Sequence, residues 1–143
     1  MKTVSAEVSF KVEFYDVDSM FVVYHGNYAK YFEKARWALF ETIDYTYEDM
    51  KRDGCAFPVT SMSAKFIKPL RFGDRARVRA VLEEYENCLK IAFEIFNAET
   101  NEVTTKGKTT QMAFDMFKGE SVFVCPPHLV EKVKAFLARL PDE

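Results

Sequence analysis

Residues 28–43, YAKYFEKARWALFETI, hold the pattern that decides the fold. Apolar residues recur three, four, seven, eleven and fifteen positions after the first, which places them on one stripe of an α-helix. The stripe consists of Tyr28, Tyr31, Phe32, Ala35, Leu39 and Ile43. Asn27 precedes the stripe, and its side-chain oxygen is suited to cap the first turn. The sequence therefore predicts one long helix that ends before the polar segment 48–54 and needs cover along one face.

Strand patterns flank this helix on both sides. Before it, every second residue from Val4 to Phe14 is apolar, which is the period of a strand with one buried face. After it, strand-like segments alternate with turn signals such as Gly73-Asp74. These segments predict four further strands at residues 59–67, 75–84, 89–97 and 103–117. Pro126-Pro127 then opens a short closing helix with its own apolar stripe.

The order of these elements indicates the fold class. A strand, a long helix, a run of strands and a short helix are typical of an α+β protein with an antiparallel sheet. The long helix carries an apolar face that the sheet must cover, and a sheet wrapped around one central helix is the hotdog architecture. A chain of 143 residues has the size of one domain. We therefore expect a single hotdog domain over residues 1–143.

Charge and cysteine content narrow the class of function. The net charge of −2 gives no overall positive field, which argues against nucleic acid as a partner. Three widely spaced cysteines and two histidines match neither a zinc site nor a disulfide framework, and they fit a reducing compartment. The N-terminus has no apolar run of a signal peptide, and no segment is long enough to span a membrane. These features predict a soluble cytoplasmic protein.

Two stretches resemble a known family. Residues 14–28, FYDVDSMFVVYHGNY, followed by YFE at 31–33 and AR at 35–36, are similar to the signature of the 4-hydroxybenzoyl-CoA thioesterase family. Residues 64–74, AKFIKPLRFGD, resemble a later strand and turn of the same family. The likeness spans roughly residues 8–115, and the first motif is the more specific of the two.

The resemblance implies an activity and an assembly. It implies a hotdog thioesterase that hydrolyses acyl- or aroyl-CoA thioesters, with Asp18 as the catalytic carboxylate and the backbone amide of His25 polarising the thioester carbonyl. It further implies a homodimer joined edge to edge, commonly a homotetramer, with active sites between subunits. No metal and no bound cofactor are expected, since coenzyme A enters as part of the substrate.

Alternatives remain open for the individual residues. Asp18 is either a general base toward water or a nucleophile. The side chain of His25 either contacts the substrate or shapes the loop, and Tyr24 either lines the acyl pocket or packs inside. For Asn27, a helix cap is the first interpretation and a substrate contact is the second. Phe21 stands where the family usually has glycine, so either the loop takes another path or Phe21 protrudes toward the acyl pocket or a partner subunit.

The carrier of the acyl group is also open. Lys65, Lys68 and Arg71 are weak candidates for contacting the phosphates of coenzyme A, and the solvent side of a strand is the plainer interpretation of this basic segment. An acyl carrier protein presents the same phosphopantetheine arm and is an alternative substrate. A non-catalytic module that binds acyl thioesters is the alternative from another class, because a fold does not fix a function.

Overall fold

The computed structural model describes residues 2–141, which form eight strands and three α-helices. The long helix α1 spans Tyr28–Thr42, α2 spans Tyr47–Asp53 and α3 spans Pro127–Arg139. The strands are β1 (Ser5–Lys11), β2 (Cys55–Ala56), β3 (Val59–Phe66), β4 (Arg75–Glu84), β5 (Leu89–Asn97), β6 (Val103–Gln111), β7 (Ala113–Asp115) and β8 (Glu120–Val122). None of the helices in this described part is long and apolar enough to cross a bilayer.

Five of the strands form the main sheet, in the order β1-β4-β5-β6-β3. Every neighbouring pair is antiparallel, so the sheet is a meander from β4 to β6 with β1 and β3 at its two edges. Along β5 the buried residues alternate with partly exposed ones, which is the signature of one covered face. That covered face packs against α1.

Helix α1 is the centre of the core. Its apolar stripe is almost completely buried, with Tyr31, Phe32 and Ala35 at most 2% exposed. The ring of Phe32 stacks on Phe93 of β5 with centroids 4.5 Å apart. The helix approaches β6 so closely that a Cβ on Gly107 would lie 2.4 Å from the Phe32 ring. An antiparallel sheet wrapped around one long helix is the hotdog architecture that the sequence predicted.

A smaller layer closes one end of the core. Strands β2, β7 and β8 form a three-stranded antiparallel sheet, and α2 leads directly into β2. Helix α2 begins with a capping box in which Thr46 accepts from the Asp49 amide while Asp49 accepts from the Thr46 amide. It ends at Gly54, whose φ of 63° is the left-handed geometry that a helix C-terminus favours.

Several predicted boundaries are wrong. Strand β1 ends at Lys11, and Phe14 lies in a 3₁₀ turn with its side chain 66% exposed instead of continuing the buried face. The polar segment after α1 forms α2, a helix that was not predicted. The single strand expected at 103–117 is interrupted at Met112 and continues as β7 in the small sheet. The predicted strands 75–84 and 89–97 match β4 and β5.

Candidate active site

Asp18 lies at the base of a tight loop that precedes α1. Val17 and Val23 form an antiparallel bridge across this loop, and the Asp18 amide donates to the Val22 carbonyl oxygen at 2.9 Å. The Asp18 carboxylate accepts the Met20 amide at 2.8 Å, which fixes the side chain over its own loop. The side chain is half-buried. The loop therefore presents a positioned carboxylate that water and substrate can reach.

Asp16 anchors the same loop from the other side. Its buried carboxylate accepts the Glu13 amide at 3.0 Å and the Lys30 ammonium at 3.1 Å. Burial alone would raise the pKa of Asp16, but these hydrogen bonds and the charge of Lys30 outweigh burial and hold the pKa below its ordinary value. Asp16 is thus an ionised structural anchor, while Asp18 remains available to a ligand.

A 3₁₀ turn, His25–Asn27, leads into α1. Its first hydrogen bond runs from the Asn27 amide to the Tyr24 carbonyl oxygen at 2.9 Å, so the amides of His25 and Gly26 lie at the open start of the helical segment. These amides stand at the positive end of the macrodipole of α1. The helix start therefore offers donors for an oxygen that develops negative charge.

The prediction that Asn27 caps α1 is wrong. Asn27 already has helical backbone angles, and its side chain makes no cap hydrogen bond. Instead its side-chain amide donates to the Asp16 carbonyl oxygen at 2.7 Å. Asn27 consequently clamps the helix start onto the loop that carries Asp18, because the 3₁₀ turn has displaced the cap position by one turn.

A cleft joins the loop to the helix start. Its volume is about 340 Å³, and it is lined by Asp18, Val22, Val23, His25, Tyr28, Phe66, Ile67, Lys68 and Pro69. Burial raises the pKa of Tyr28, so its phenol stays protonated at neutral pH. The structure therefore brings three of the predicted site residues, Asp18, His25 and Lys68, into one cavity. The other lining residues, Val22, Val23, Tyr28, Phe66, Ile67 and Pro69, were not predicted to line it.

Phe21 keeps the backbone conformation that a glycine would adopt. Its φ is 63°, in the left-handed region, and its side chain is 57% exposed. The loop holds it there through two hydrogen bonds, from the Phe21 amide to Asp18 and from the Phe72 amide to the Phe21 carbonyl oxygen. The side chain therefore protrudes from the loop, and whether it faces a partner subunit stays a prediction. Phe21 does not line the cleft that contains Asp18.

The remaining predicted residues lie outside this cleft or at its rim. Tyr24 neither packs inside nor lines the cleft, because its ring lies over Gly26 and against His25 and is 49% exposed. Lys68 lines the cleft and pairs with Glu102. Lys65 lies on the other face of β3, opposite Lys106 in the register with β6. Arg71 is exposed beside the loop, in a backbone bridge with Val22.

A second cavity, the apolar pocket, lies between α1, α2 and the small sheet. Its volume is also about 340 Å³. Its walls are Glu33, Arg36, Trp37, Phe40, Tyr47, Met50, Lys51, Gly54, Cys55, Ala56, Phe57, Gln111, Met116 and Phe117. The ring of Phe117 lies directly over Gly54, so the turn after β7 roofs the pocket. The sequence did not predict this pocket. Thr46 and Asp49 have the spacing of a capping box, and this motif could have predicted α2, which forms one wall.

The polar wall of the apolar pocket is preorganised. Arg36 is buried, and it pairs with Glu33 and donates to the Thr109 hydroxyl at 3.1 Å. Glu33 and Thr109 of β6 therefore hold the Arg36 guanidinium from two sides. The Gln111 side-chain amide donates to the Phe57 carbonyl oxygen at 2.7 Å and fixes the entry to β3.

The two cavities lie at opposite ends of β3. The apolar pocket adjoins the Val59 end, where Val59 faces Gln111, whereas the cleft adjoins the Phe66 end, where Phe66 faces Thr105. Among residues 2–141, strand β3 pairs only with β6, and its other edge is unpaired. Within residues 2–141, no three histidine, cysteine or acidic side chains come together as a metal site.

Comparisons with known proteins agree with this geometry. A model of the thioesterase-like superfamily matches residues 12–137. The chain is 32% identical over 84 residues to the acyl-CoA thioesterase YbgC of Helicobacter pylori, covering 59% of this chain and 61% of that protein. It is 35% identical over 74 residues to the acyl-acyl carrier protein thioesterase ATL3 of Arabidopsis thaliana, covering 52% of this chain and 39% of that one. A DHNA-CoA thioesterase from Staphylococcus aureus superposes with a TM-score of 0.83 at 26% identity, covering 94% of this chain and 91% of the other.

Proposed function

Because this chain belongs to the thioesterase-like superfamily and is an acyl-CoA thioester hydrolase, we propose that Asp18 is its catalytic residue. One observation carries this proposal. The Asp18 carboxylate and the open amides at the start of α1 border the same cleft. A base or nucleophile and an oxyanion donor are the two groups that thioester hydrolysis requires.

The reaction follows from these two groups. With the thioester carbonyl oxygen against the His25 amide, the carbonyl carbon faces Asp18. Asp18 then either removes a proton from an attacking water or attacks the carbon itself and forms a mixed anhydride that water cleaves. In both routes a carbon–oxygen bond forms, the carbon–sulfur bond breaks, and the thiolate of coenzyme A leaves and takes up a proton.

The acyl group is apolar, and the apolar pocket offers it a more apolar lining than the cleft around Asp18, which holds Asp18, His25 and Lys68. We propose that two protomers pair through the free edges of β3 in antiparallel fashion. This pairing sets the Phe66 end of one strand beside the Val59 end of the other. The cleft of one protomer then adjoins the apolar pocket of its partner. The thioester would bind at Asp18 while its acyl group enters the partner's pocket.

The carrier arm would leave the cleft past Lys68, which lies at its rim. The exposed side chains of Lys65 and Arg71 flank the same end of the sheet and are available to the phosphates of coenzyme A. An acyl carrier protein delivers its substrate on the same phosphopantetheine arm. The cleft therefore accommodates either carrier, and the aromatic walls of the apolar pocket fit aroyl as well as aliphatic acyl groups.

The test measures thiol release from benzoyl-, short-chain and long-chain acyl-CoA by wild type, Asp18→Asn and Asp44→Asn. The last variant makes the same change at an exposed aspartate that follows α1. We expect Asp18→Asn to lower kcat by about a hundredfold or more, the size expected for losing a general base, while Asp44→Asn stays near wild type.

Two results would contradict the proposal. Turnover by wild type with no loss in a folded Asp18→Asn variant would remove Asp18 from the reaction. The absence of turnover on every coenzyme A and carrier-protein thioester would favour a non-catalytic acyl-thioester-binding module.

A further inference from the structure

The outer face of the main sheet is strongly basic. Residues paired across antiparallel strands lie on the same face, so the register defines this surface. One row runs across all five strands as Glu7, Arg79, Glu94, Lys106 and Lys65. We define the basic face by its cationic residues: Lys11, Lys65, Arg75, Arg77, Arg79, Lys90, Lys106 and Lys108.

The net charge of the basic face is opposite in sign to that of the whole chain. Its eight cations share the surface with four acidic residues, Glu7, Glu83, Glu84 and Glu94, which gives a net charge of +4. The whole chain carries −2, so the rest of the sequence carries −6. Among the described residues, only two ion pairs join these acids to these cations. They are Arg77–Glu7 and Lys108–Glu83, each with a nitrogen–oxygen distance of 3.6 Å. Most of the positive charge is therefore available to a partner.

The charge excludes some occupants of this face. A second copy packed face to face about a two-fold axis would set +4 against +4, which like-charge repulsion opposes. An inserted membrane anchor needs exposed large apolar side chains, but the apolar residues at outward positions, Val81, Ala92 and Phe96, are all partly buried. A long polyanion such as nucleic acid would meet the acidic remainder of the molecule beyond the sheet. A compact acidic protein fits the pattern best.

The position of the charge links this face to the cleft. Strands β1 and β3 end, and β4 begins, at the end of the sheet that carries the Asp18 loop, where the Val12 amide bonds the Asp74 carbonyl oxygen. Lys11 and Arg75 lie opposite each other in the register of β1 and β4 at that end. Lys65 directly precedes Phe66, which lines the cleft. A flexible arm from a protein docked here would enter the cleft around the end of β3.

We propose that the basic face docks an acidic carrier protein that presents the acyl group as a phosphopantetheine thioester. This inference rests on the proposed thioesterase function and names the partner that delivers the substrate. Five strands of seven to ten residues give a face of roughly 20 by 25 Å, smaller than the ~800 Å² per side of a standard stable interface. The complex is accordingly weak, fast and sensitive to salt, as suits a carrier that must leave after each turnover.

The experiment compares one acyl group on two carriers, a bacterial acyl carrier protein and coenzyme A. The enzymes are wild type, the double variant Arg79→Glu/Lys106→Glu, and the control Lys118→Glu/Lys134→Glu. The control reverses two exposed cations away from the sheet and changes the net charge equally. We expect the first variant to lose at least about tenfold in kcat/KM on the carrier-protein thioester, mainly through KM, because weakened steering slows association. Hydrolysis of acyl-CoA stays at the wild-type rate in both variants.

Three results would overturn the inference while leaving the thioesterase function intact. The first is that wild type hydrolyses acyl-CoA but not the carrier-protein thioester. The second is that both double variants behave alike on the carrier protein. The third is that reversal on the basic face abolishes binding to anionic vesicles or DNA and leaves carrier-protein hydrolysis unchanged. Failure of wild type on both carriers would instead contradict the proposed function itself.

Discussion

Phe21 shows how one residue can carry strain next to the carboxylate that we propose as catalytic. A side chain in the left-handed region costs about 1–2 kcal/mol, and Phe21 has no local hydrogen-bonding group to offset that cost. The bridge between Val17 and Val23 and the hydrogen bonds on either side of Phe21 hold it in place. The loop that positions Asp18 is therefore imposed by its surroundings, since its own sequence does not favour it.

Replacing Phe21 by glycine should stabilise the protein. Glycine adopts a φ of 63° without strain, so we expect Phe21→Gly to raise the free energy of unfolding by up to about 1 kcal/mol. Met20→Gly, at an adjacent exposed position without a positive φ, should instead lower it. Urea denaturation of both variants provides the measurement, and a destabilised Phe21→Gly would show that the phenyl ring makes stabilising contacts.

The lowered pKa of Asp16 makes the stability of the protein depend on pH. Its pKa is lower in the folded protein than the ordinary value of 3.8, so its carboxylate stabilises the fold above that pH and the contribution is lost as pH falls through the folded pKa. We expect Asp16→Asn to cost about 1–3 kcal/mol at pH 7. The gap between wild type and variant should shrink below pH 4. A gap that stays constant from pH 7 to pH 3 would mean that the charge of Asp16 contributes nothing.

The sequence predicted those parts of the site that are local in the chain. Asp18, His25 and the helix start lie within ten residues of one another, so one motif specifies their proximity. Lys68, a weak candidate from its charge alone, reaches the cleft because the turn after β3 folds back onto the loop, a tertiary contact that no local motif specifies. Tyr24 was misplaced because Gly26 leaves room for its ring outside the core.

At the scale of elements, the packing of α1 on β6 sets the shape of the core. Gly107 is the point of closest approach, since an added Cβ would lie 2.4 Å from Phe32 and 3.0 Å from the Ser63 carbonyl oxygen. We expect Gly107→Ala to lower the free energy of unfolding by about 1–3 kcal/mol, the usual cost of overpacking a core. Lys108→Ala, the next residue on the outer side of β6, should change it by less than about 0.5 kcal/mol. Equal effects of the two changes in thermal unfolding would contradict the close packing.

The elements divide into predictable and unpredictable ones for physical reasons. β4 and β5 were predicted to the residue because each alternates strictly and ends at a turn signal. Helix α2 was missed because its seven residues, YEDMKRD, carry almost no apolar stripe, and its capping box at Thr46 was the only local sign. β2 and β8 are two and three residues long, and they exist because β7 pairs with them.

At the scale of the whole molecule, the separation of the two cavities is the central feature. One protomer holds the carboxylate at one end of β3 and the apolar pocket at the other. No local pattern encodes this separation, because it depends on how α2 and the small sheet pack against α1 at one end of β3. We therefore propose that each working site combines Asp18 of one protomer with the apolar pocket of its partner.

The most direct test of this claim is a heterodimer of two inactive variants. Asp18→Asn lacks the carboxylate, and Ala56→Trp fills the apolar pocket with an indole. The two chains are co-expressed with different tags, the mixed dimer is isolated, and its hydrolysis of the best acyl-CoA substrate is compared with that of each parent. The heterodimer unites an intact Asp18 with an open pocket in one of its two sites, so we predict about half of the wild-type activity. A folded heterodimer as inactive as its parents would show that each protomer binds and hydrolyses its substrate alone.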